Sequence, residues 1–137
     1  MTTSIGNVAI YVADLERSVA FYTNVLGLAV LATIETADVK EVIVGAENDG
    51  SQLMLAKPSG ESAPVNPSGI WKVFVNTDDL DGVLARGRAA GVQLAAEPIF
   101  LERFNLDLAF LNDPDGYLIE LGQRRSYPMP SRPAVLP

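Results

Sequence analysis

The hydrophobic and polar positions near the start of the chain change from a strand-like pattern to a helical one. The segment from Val8 to Val12 is short, apolar and β-branched, which predicts a strand that stops before Asp14. From Leu15 the apolar residues recur at i, i+4, i+7 and i+11, which predicts a helix with Asp14 as its N-cap. Gly27 follows where a left-handed C-cap is expected. The chain therefore begins with a strand, a helix and a turn.

The second half of the chain repeats this order. Residues 73–75 predict a strand, and a helical period follows Asp79 and closes at Gly91. The predicted inner face of this helix consists of Leu80, Leu84 and Gly87. Asp14 and Asp79 lie at an offset of 65 residues, so the same pattern recurs at a fixed distance.

Each half also ends on a hairpin signal. Asn48-Asp49-Gly50 precedes an apolar run at 53–55, and Pro114-Asp115-Gly116 precedes another at 118–121. Asp-Gly between two strand-like runs favours a tight hairpin turn. Each half therefore has the pattern βαβββ, and two such halves predict an α+β fold with one shared core.

We expect residues 1–137 to form a single domain made of two modules. Module one covers about 5–57, a Pro-, Gly- and Ser-rich connector covers about 58–69, and module two covers about 70–124. The segment 126–137 contains four prolines and cannot continue a central strand. We expect it to be an extended tail, on the surface of the domain or on a partner subunit.

Composition narrows the function classes. A length of 137 residues with 48% hydrophobic residues suits one globular domain, and the formal charge of −7 argues against a nucleic-acid partner. The sequence contains neither Cys nor His, which excludes a thiolate nucleophile and the commonest metal ligand. It predicts neither a membrane span nor a signal peptide, so we expect a soluble cytoplasmic protein.

Two segments carry a family resemblance. They are Asn-Val-Ala-Ile-Tyr-Val-Ala-Asp-Leu-Glu-Arg-Ser-Val-Ala-Phe-Tyr-Thr-Asn-Val-Leu-Gly-Leu at 7–28 and Phe-Leu-Asn-Asp-Pro-Asp-Gly-Tyr-Leu-Ile-Glu-Leu-Gly-Gln at 110–123. Together they closely resemble the vicinal oxygen chelate superfamily, which includes glyoxalase I, extradiol dioxygenases and bleomycin-resistance proteins, and they are nearest to glyoxalase-I-like members. The resemblance implies two βαβββ modules in a partly open eight-stranded barrel around a ligand cavity, usually in a homodimer.

The resemblance also implies where metal-dependent members hold their ion. The four ligand positions fall on Asn7, Met54, Lys72 and Glu120, and among these Glu120 alone matches the family pattern. Met54 is a soft thioether, and an ammonium such as that of Lys72 must lose its proton before it can coordinate. We therefore expect no metal and no cofactor.

Strand alternation indicates which side chains would face the cavity. It places Asn7, Ala9 and Tyr11 on one face of the first strand, and Val8, Ile10 and Val12 on the face toward the helix. The predicted ligand-binding residues are Asn7, Tyr11, Gln52, Met54, Phe74, Asn76 and Phe110. Each of them also has a plain alternative as a core residue or a partly exposed strand residue.

Lys72 and Glu120 are the candidate catalytic residues, and they admit three interpretations. Glu120 can act as a general acid or base while the Lys72 ammonium stabilises an enolate or oxyanion. Alternatively, Lys72 fills the former metal position and neutralises Glu120 without catalysis. In a third interpretation, Glu120 recognises a cationic group on a ligand.

Aromatic and basic residues near the second module have two interpretations each. We interpret Trp71, Phe100 and Phe104 as packing residues, with stacking on a planar ligand as the alternative. We interpret Arg124 and Arg125 as a solvated charge pair, with an anionic ligand group as the alternative.

Three functions from different classes follow. The first is a metal-independent small-molecule-binding protein of the glyoxalase/bleomycin-resistance type, whose ligand is cationic or aromatic and lies in the barrel cavity. The second is a glyoxalase-like lyase or isomerase that uses Glu120 and Lys72 in place of a metal. The third is a structural or regulatory dimer with a vestigial pocket.

Overall fold

The structure is a computed structural model that describes residues 2–48, 50–60 and 62–125. The predicted Pro-rich tail and Asp49 of the first hairpin signal lie outside these residues. The chain divides into two compact units, Met1–Pro67 and Ser68–Pro137, and the division falls inside the predicted connector. Within the described ranges, no helix is long and apolar enough to cross a membrane.

The first unit is a four-stranded mixed sheet with one helix. Its elements are β1 (Val8–Tyr11), α1 (Leu15–Ala20), β2 (Ala29–Glu35), β3 (Val39–Gly45) and β4 (Gln52–Pro58). The strand order is β1-β4-β3-β2, with β1 parallel to β4 and the remaining neighbours antiparallel. Antiparallel neighbours joined by short turns and a parallel pair joined across a helix are the expected connections for this order.

The second unit repeats this topology. Its elements are β5 (Val73–Asn76), α2 (Leu80–Ala89), β6 (Leu94–Leu101), β7 (Leu106–Asn112) and β8 (Leu118–Arg124). The strand order is β5-β8-β7-β6, and again the first strand runs parallel to the last one. The predicted α+β class and the βαβββ pattern of both halves are confirmed, whereas the eight-stranded barrel stays a prediction of the family resemblance.

The helix-facing side of the first sheet is its core. Ile10 and Val12 are buried as predicted, and Leu53 and Leu55 of β4 join them. Val8 was expected on the same side, but it is 52% exposed. It begins β1, which is an edge strand, so fewer neighbours are available to cover it.

The predicted first helix is α-helical over six residues and then widens into a π-helical turn at Phe21–Val25. The N–H of Leu26 donates to the carbonyl of Phe21 at 3.1 Å, which is the i to i−5 bond of a π-helix. The Thr23 hydroxyl donates to the Val19 carbonyl at 2.7 Å, which occupies that acceptor with a side chain. Both Phe21 and the adjacent Tyr22 are buried in this turn, and their rings meet edge to face.

The second helix is capped as the sequence predicts. The carboxylate of Asp79 accepts a hydrogen bond from the N–H of Gly82 at 3.1 Å, and Gly91 closes the helix at a φ of +79°. In addition, the N–H of Leu80 donates to the side-chain oxygen of Gln123 on β8 at 2.7 Å. The start of α2 is therefore tied to the strand that carries Glu120.

The prediction for the buried face of α2 is wrong at one residue. The buried residues of this helix are Leu80, Val83 and Gly87, whereas Leu84 is only half-buried. The buried positions follow the spacing i, i+3, i+7, so the face is rotated from the one that the apolar side chain of Leu84 suggested.

Candidate functional site

Glu120 is a buried carboxylate near the middle of the second sheet. It lies on β8, opposite Phe74 of the parallel neighbour β5 and Phe110 of the antiparallel neighbour β7. Its sequence neighbours Ile119 and Leu121 point to the other face, where both are fully buried. The Glu120 carboxylate therefore lies on the face of the sheet opposite Ile119 and Leu121, beside two aromatic residues.

Lys72 supplies the countercharge. It directly precedes β5 and lies two residues before Phe74, so strand alternation places it on the Glu120 face. Its ammonium forms an ion pair with Oε2 of Glu120, and the two side chains are 21% and 5% exposed. Among the described residues, no donor other than this ammonium reaches Oε2. The buried Oε2 atom thus has one positive partner, which is itself partly open to solvent.

Phe74 and Gly122 shape the surface beside Glu120. Gly122 follows Glu120 by two residues on β8, and a Cβ built on it would lie 2.6 Å from Cζ of Phe74. The aromatic ring therefore occupies the space above the glycine. The sequence predicted Phe74 on the cavity face, but it gave no signal of this contact, because the rotamer of a strand side chain depends on packing.

Trp71 is the most exposed aromatic group of this region. The residue is 77% exposed, so its interpretation as a packing residue is wrong. The Lys72 ammonium lies 4.0 Å from the centroid of the indole ring, which is a cation–π contact. One lysine thus joins an exposed aromatic ring to a buried carboxylate, and the adjacency of Trp71 and Lys72 was the available sequence signal.

The first unit holds the equivalent positions on the same backbone plan. Met54 of β4 lies opposite Ala9 of β1, just as Glu120 of β8 lies opposite Phe74 of β5. Met54 is half-buried and also faces Ile43 of β3. The first sheet therefore presents a thioether and aliphatic side chains where the second sheet presents a carboxylate and aromatic rings.

The other predicted ligand-binding residues are spread along the strand edges. Asn7 and Gln52 line one open depression of about 590 Å³ at the start of β1 and β4. Tyr11 is exposed at the end of β1, opposite Ala56 of β4. Asn76 is exposed at the end of β5 and lies opposite Gly122, two residues along β8 from Glu120. The structure thus groups Lys72, Phe74, Phe110 and Glu120, and separately groups Asn7 with Gln52.

The side chains at the four family metal positions do not suit a divalent cation. Asn7 offers one amide oxygen and Met54 a thioether, and the Glu120 carboxylate is held by the Lys72 ammonium, which repels a metal ion. Across residues 2–48, 50–60 and 62–125, no three His, Cys, Asp or Glu side chains form a group that could hold a metal. We therefore derive no chemistry from a metal at these positions.

The sequence suggested that Arg124 and Arg125 are a solvated charge pair, but in the structure each of them has its own partner. The Arg125 guanidinium donates to both carboxylate oxygens of Asp107, at 2.9 and 2.8 Å, and lies 3.6 Å from the ring centroid of Phe100. These hydrogen bonds hold the pKa of the Asp107 carboxyl below its usual value. The neighbouring Arg124 donates instead to the carbonyl of Phe104 at 3.1 Å. This cluster joins β6, β7 and the end of β8, and Phe100 remains 40% exposed despite its place in it.

The repeated βαβββ topology and the sequence motifs agree with a known family. Residues 4–121 match the sequence model of the Glyoxalase/Bleomycin resistance protein/Dioxygenase superfamily. Because this match covers most of the chain, the protein belongs to that superfamily. The predicted resemblance is confirmed at this level, and the match to glyoxalase I proteins supports its glyoxalase-I-like character.

Proteins similar to this chain include both enzymes and a binding protein. The chain is 30% identical over 118 residues to a probable lactoylglutathione lyase of Vibrio cholerae, covering 83% of this chain and 86% of the relative. It also resembles the solved glyoxalase I of Leishmania major, with a TM-score of 0.74, 26% identity and coverage of 90% and 88%. An antibiotic-binding protein from Streptomyces sp. CB03234 shares the fold, with a TM-score of 0.72, 24% identity and coverage of 90% and 97%. The fold therefore accommodates both catalysis and binding.

Proposed function

We propose that this protein binds a small molecule at the Glu120 face of the second sheet without the help of a divalent metal. The observation that carries the proposal is the Lys72–Glu120 ion pair, in which an internal cation neutralises the carboxylate that the family resemblance assigns to a metal. Phe74 and Phe110 flank the pair, so polar groups and aromatic walls lie side by side, as in most small-molecule sites. The antibiotic-binding protein of the same fold supports a binding role.

Native mass spectrometry tests the metal-independent part of this proposal. The wild-type protein is incubated with Ni²⁺, Mn²⁺ or Zn²⁺, dialysed and weighed, and we expect no bound ion. Lys72→His is the matched control, because it removes the ammonium and places an imidazole beside Glu120, and we expect it to take up Zn²⁺ or Ni²⁺ more readily. A stoichiometric ion that survives dialysis on the wild-type protein would contradict the proposal.

The same spectra test two further expectations. The family resemblance predicts a homodimer, so the main species should have twice the mass of the chain. Freshly purified protein that retains a small molecule would show an added mass that a denaturing spectrum lacks. A monomer would contradict the predicted assembly but would leave the metal result interpretable.

A lyase or isomerase reaction is the second candidate function. It is favoured by the buried carboxylate of Glu120 beside an ammonium, and by the lactoylglutathione lyases among the relatives. In this reaction the Glu120 carboxylate takes a proton from the carbon next to a substrate carbonyl and returns it to the neighbouring carbon, while the Lys72 ammonium stabilises the enolate oxyanion formed in between. The test is lactoylglutathione turnover by metal-depleted protein, and Glu120→Gln should lower it by about 100-fold or more. Turnover that is unchanged in Glu120→Gln would exclude this role for Glu120.

A further inference from the structure

Trp71 is an unusual surface residue. It lies between a short 3₁₀ turn at Pro67–Gly69 and the first residue of β5, and it is 77% exposed. It is the single tryptophan of the sequence. Burying a large aromatic side chain is favourable, and this free energy is not gained while the ring is exposed to water. An exposed indole next to a candidate site is therefore a candidate binding surface.

The indole is held by a chain of two contacts that ends inside the sheet. The Lys72 ammonium lies 4.0 Å from its ring centroid, and the same ammonium pairs with the buried Glu120 carboxylate of β8. A side chain that is positioned before binding loses less conformational entropy when a ligand arrives. The contacts thus describe a preorganised aromatic surface.

The position of the Lys72 ammonium also determines which kind of ligand ring stacks favourably on the indole of Trp71. A cation over one face of the indole draws electron density toward it, which makes the opposite face a better partner for an electron-rich ring. Lys72 is more exposed than Glu120, so an approaching molecule meets the positive group of the pair first. The sequence suggested a cationic or an aromatic ligand, and the exposed ammonium disfavours the cationic one beside Trp71.

We propose that Trp71, backed by the Lys72 ammonium, is the stacking surface for a planar, electron-rich aromatic part of the ligand. This inference rests on the proposed binding function and specifies the class of its ligand. It makes Trp71 a binding residue and Lys72 the residue that positions it.

Nuclear magnetic resonance can test this directly, because the single tryptophan has one indole N–H signal. The probes are 2-naphthol, which is planar and electron-rich, decahydro-2-naphthol, which has the same carbon skeleton but is saturated, and N-methylquinolinium, which is planar but electron-poor and cationic. We expect 2-naphthol to shift the indole signal saturably and to bind about tenfold more tightly than either of the other two.

Variants separate the roles of the two residues. Trp71→Leu should weaken 2-naphthol binding about tenfold, and Lys72→Met should reduce the preference for 2-naphthol over N-methylquinolinium. Phe100→Leu is the matched control, since Phe100 is also an exposed ring under a cation but belongs to the Asp107–Arg125 cluster. We expect its affinity for 2-naphthol to equal that of the wild-type protein.

The outcomes distinguish this inference from the proposed function. If the backbone amides of Glu120 and Gly122 shift with 2-naphthol while the indole signal and the Trp71→Leu affinity stay unchanged, the stacking role is wrong and the binding function stands. If no signal moves with any probe, the ligand class is wrong, and the retained-mass measurement decides the binding function separately. An indole signal that responds only to protein concentration would assign Trp71 to an interface between copies, and would overturn the proposal.

Discussion

Replacing Lys72 with methionine should destabilise the protein more than neutralising its partner Glu120. The reason is the asymmetry of burial, because the Glu120 side chain is 5% exposed and that of Lys72 is 21% exposed. Without Lys72 a carboxylate stays buried with no countercharge, whereas in Glu120→Gln the ammonium can still reach water and the indole of Trp71.

The burial of the pair sets the expected magnitude. Breaking a fully buried ion pair costs about 3–5 kcal/mol, and breaking an exposed one costs about 0–1 kcal/mol. Because Lys72 is partly exposed, we expect Lys72→Met to lower the free energy of unfolding by about 2–3 kcal/mol. Glu120→Gln should lower it by about 1 kcal/mol, since it removes a partly exposed ion pair but leaves no buried charge.

Urea unfolding followed by far-ultraviolet circular dichroism measures these losses, and the double variant completes the cycle. Lys72→Met with Glu120→Gln should be more stable than Lys72→Met alone, because no unpaired charge remains. Lys40→Met, at an exposed lysine of β3, is the matched control and should change the free energy by less than about 0.5 kcal/mol. Equal losses in both single variants, or a Lys72→Met protein as stable as the control, would refute the assigned burial of the pair.

Three further results are expected. Gly122→Ala should cost about 1–3 kcal/mol in urea unfolding, because its Cβ would lie 2.6 Å from the Phe74 ring, and Phe74→Leu in the same chain should restore part of the loss. Asp107→Asn should destabilise the protein more at pH 7 than at pH 3, because the lowered pKa of the Asp107 carboxyl stabilises the fold above the pKa of the unfolded state and this stabilisation is lost as pH falls through the folded-state pKa. Equal losses of unfolding free energy at the two pH values would contradict this. Gly82→Ala should raise the melting temperature more when Asp79 is already alanine than in the wild-type chain, because its Cβ would clash with the capping Asp79 carboxylate, which must shift and so offsets the better helix propensity of alanine.

The fold was largely predictable because the repeat was local and doubled. Asp14 and Asp79 cap their helices at matching positions, and Gly27 and Gly91 both adopt the positive φ of a closing residue. Each of these features depends on a few neighbouring residues, which a sequence pattern can capture. The π-helical turn at Phe21–Val25 was not predictable from periodicity, because it adds one residue to a turn without changing which side chains are apolar.

The candidate site was predictable only in part. The family resemblance placed Lys72 and Glu120 at two ligand positions of one cavity, and the structure joins them in an ion pair. The exposure of Trp71 and the contact of Phe74 with Gly122 depend on side-chain rotamers and packing. Residue type and spacing do not determine these. Sequence reasoning therefore found the charges and the aromatic residues of the site, but it did not predict how exposed Trp71 is or that Phe74 covers Gly122.

The two units together argue that the ion pair is not a requirement of the fold. Both units align the last strand with the first strand in the same register, with Met54 opposite Ala9 and Glu120 opposite Phe74. A methionine is thus compatible with this strand pair, and an apolar residue at 120 would avoid the desolvation that a buried carboxylate incurs. The ion pair therefore adds little stability beyond what an uncharged pair of residues would provide. The presence of Lys72 and Glu120 in one unit alone therefore favours the proposed binding role of that face over a role in the stability of the sheet.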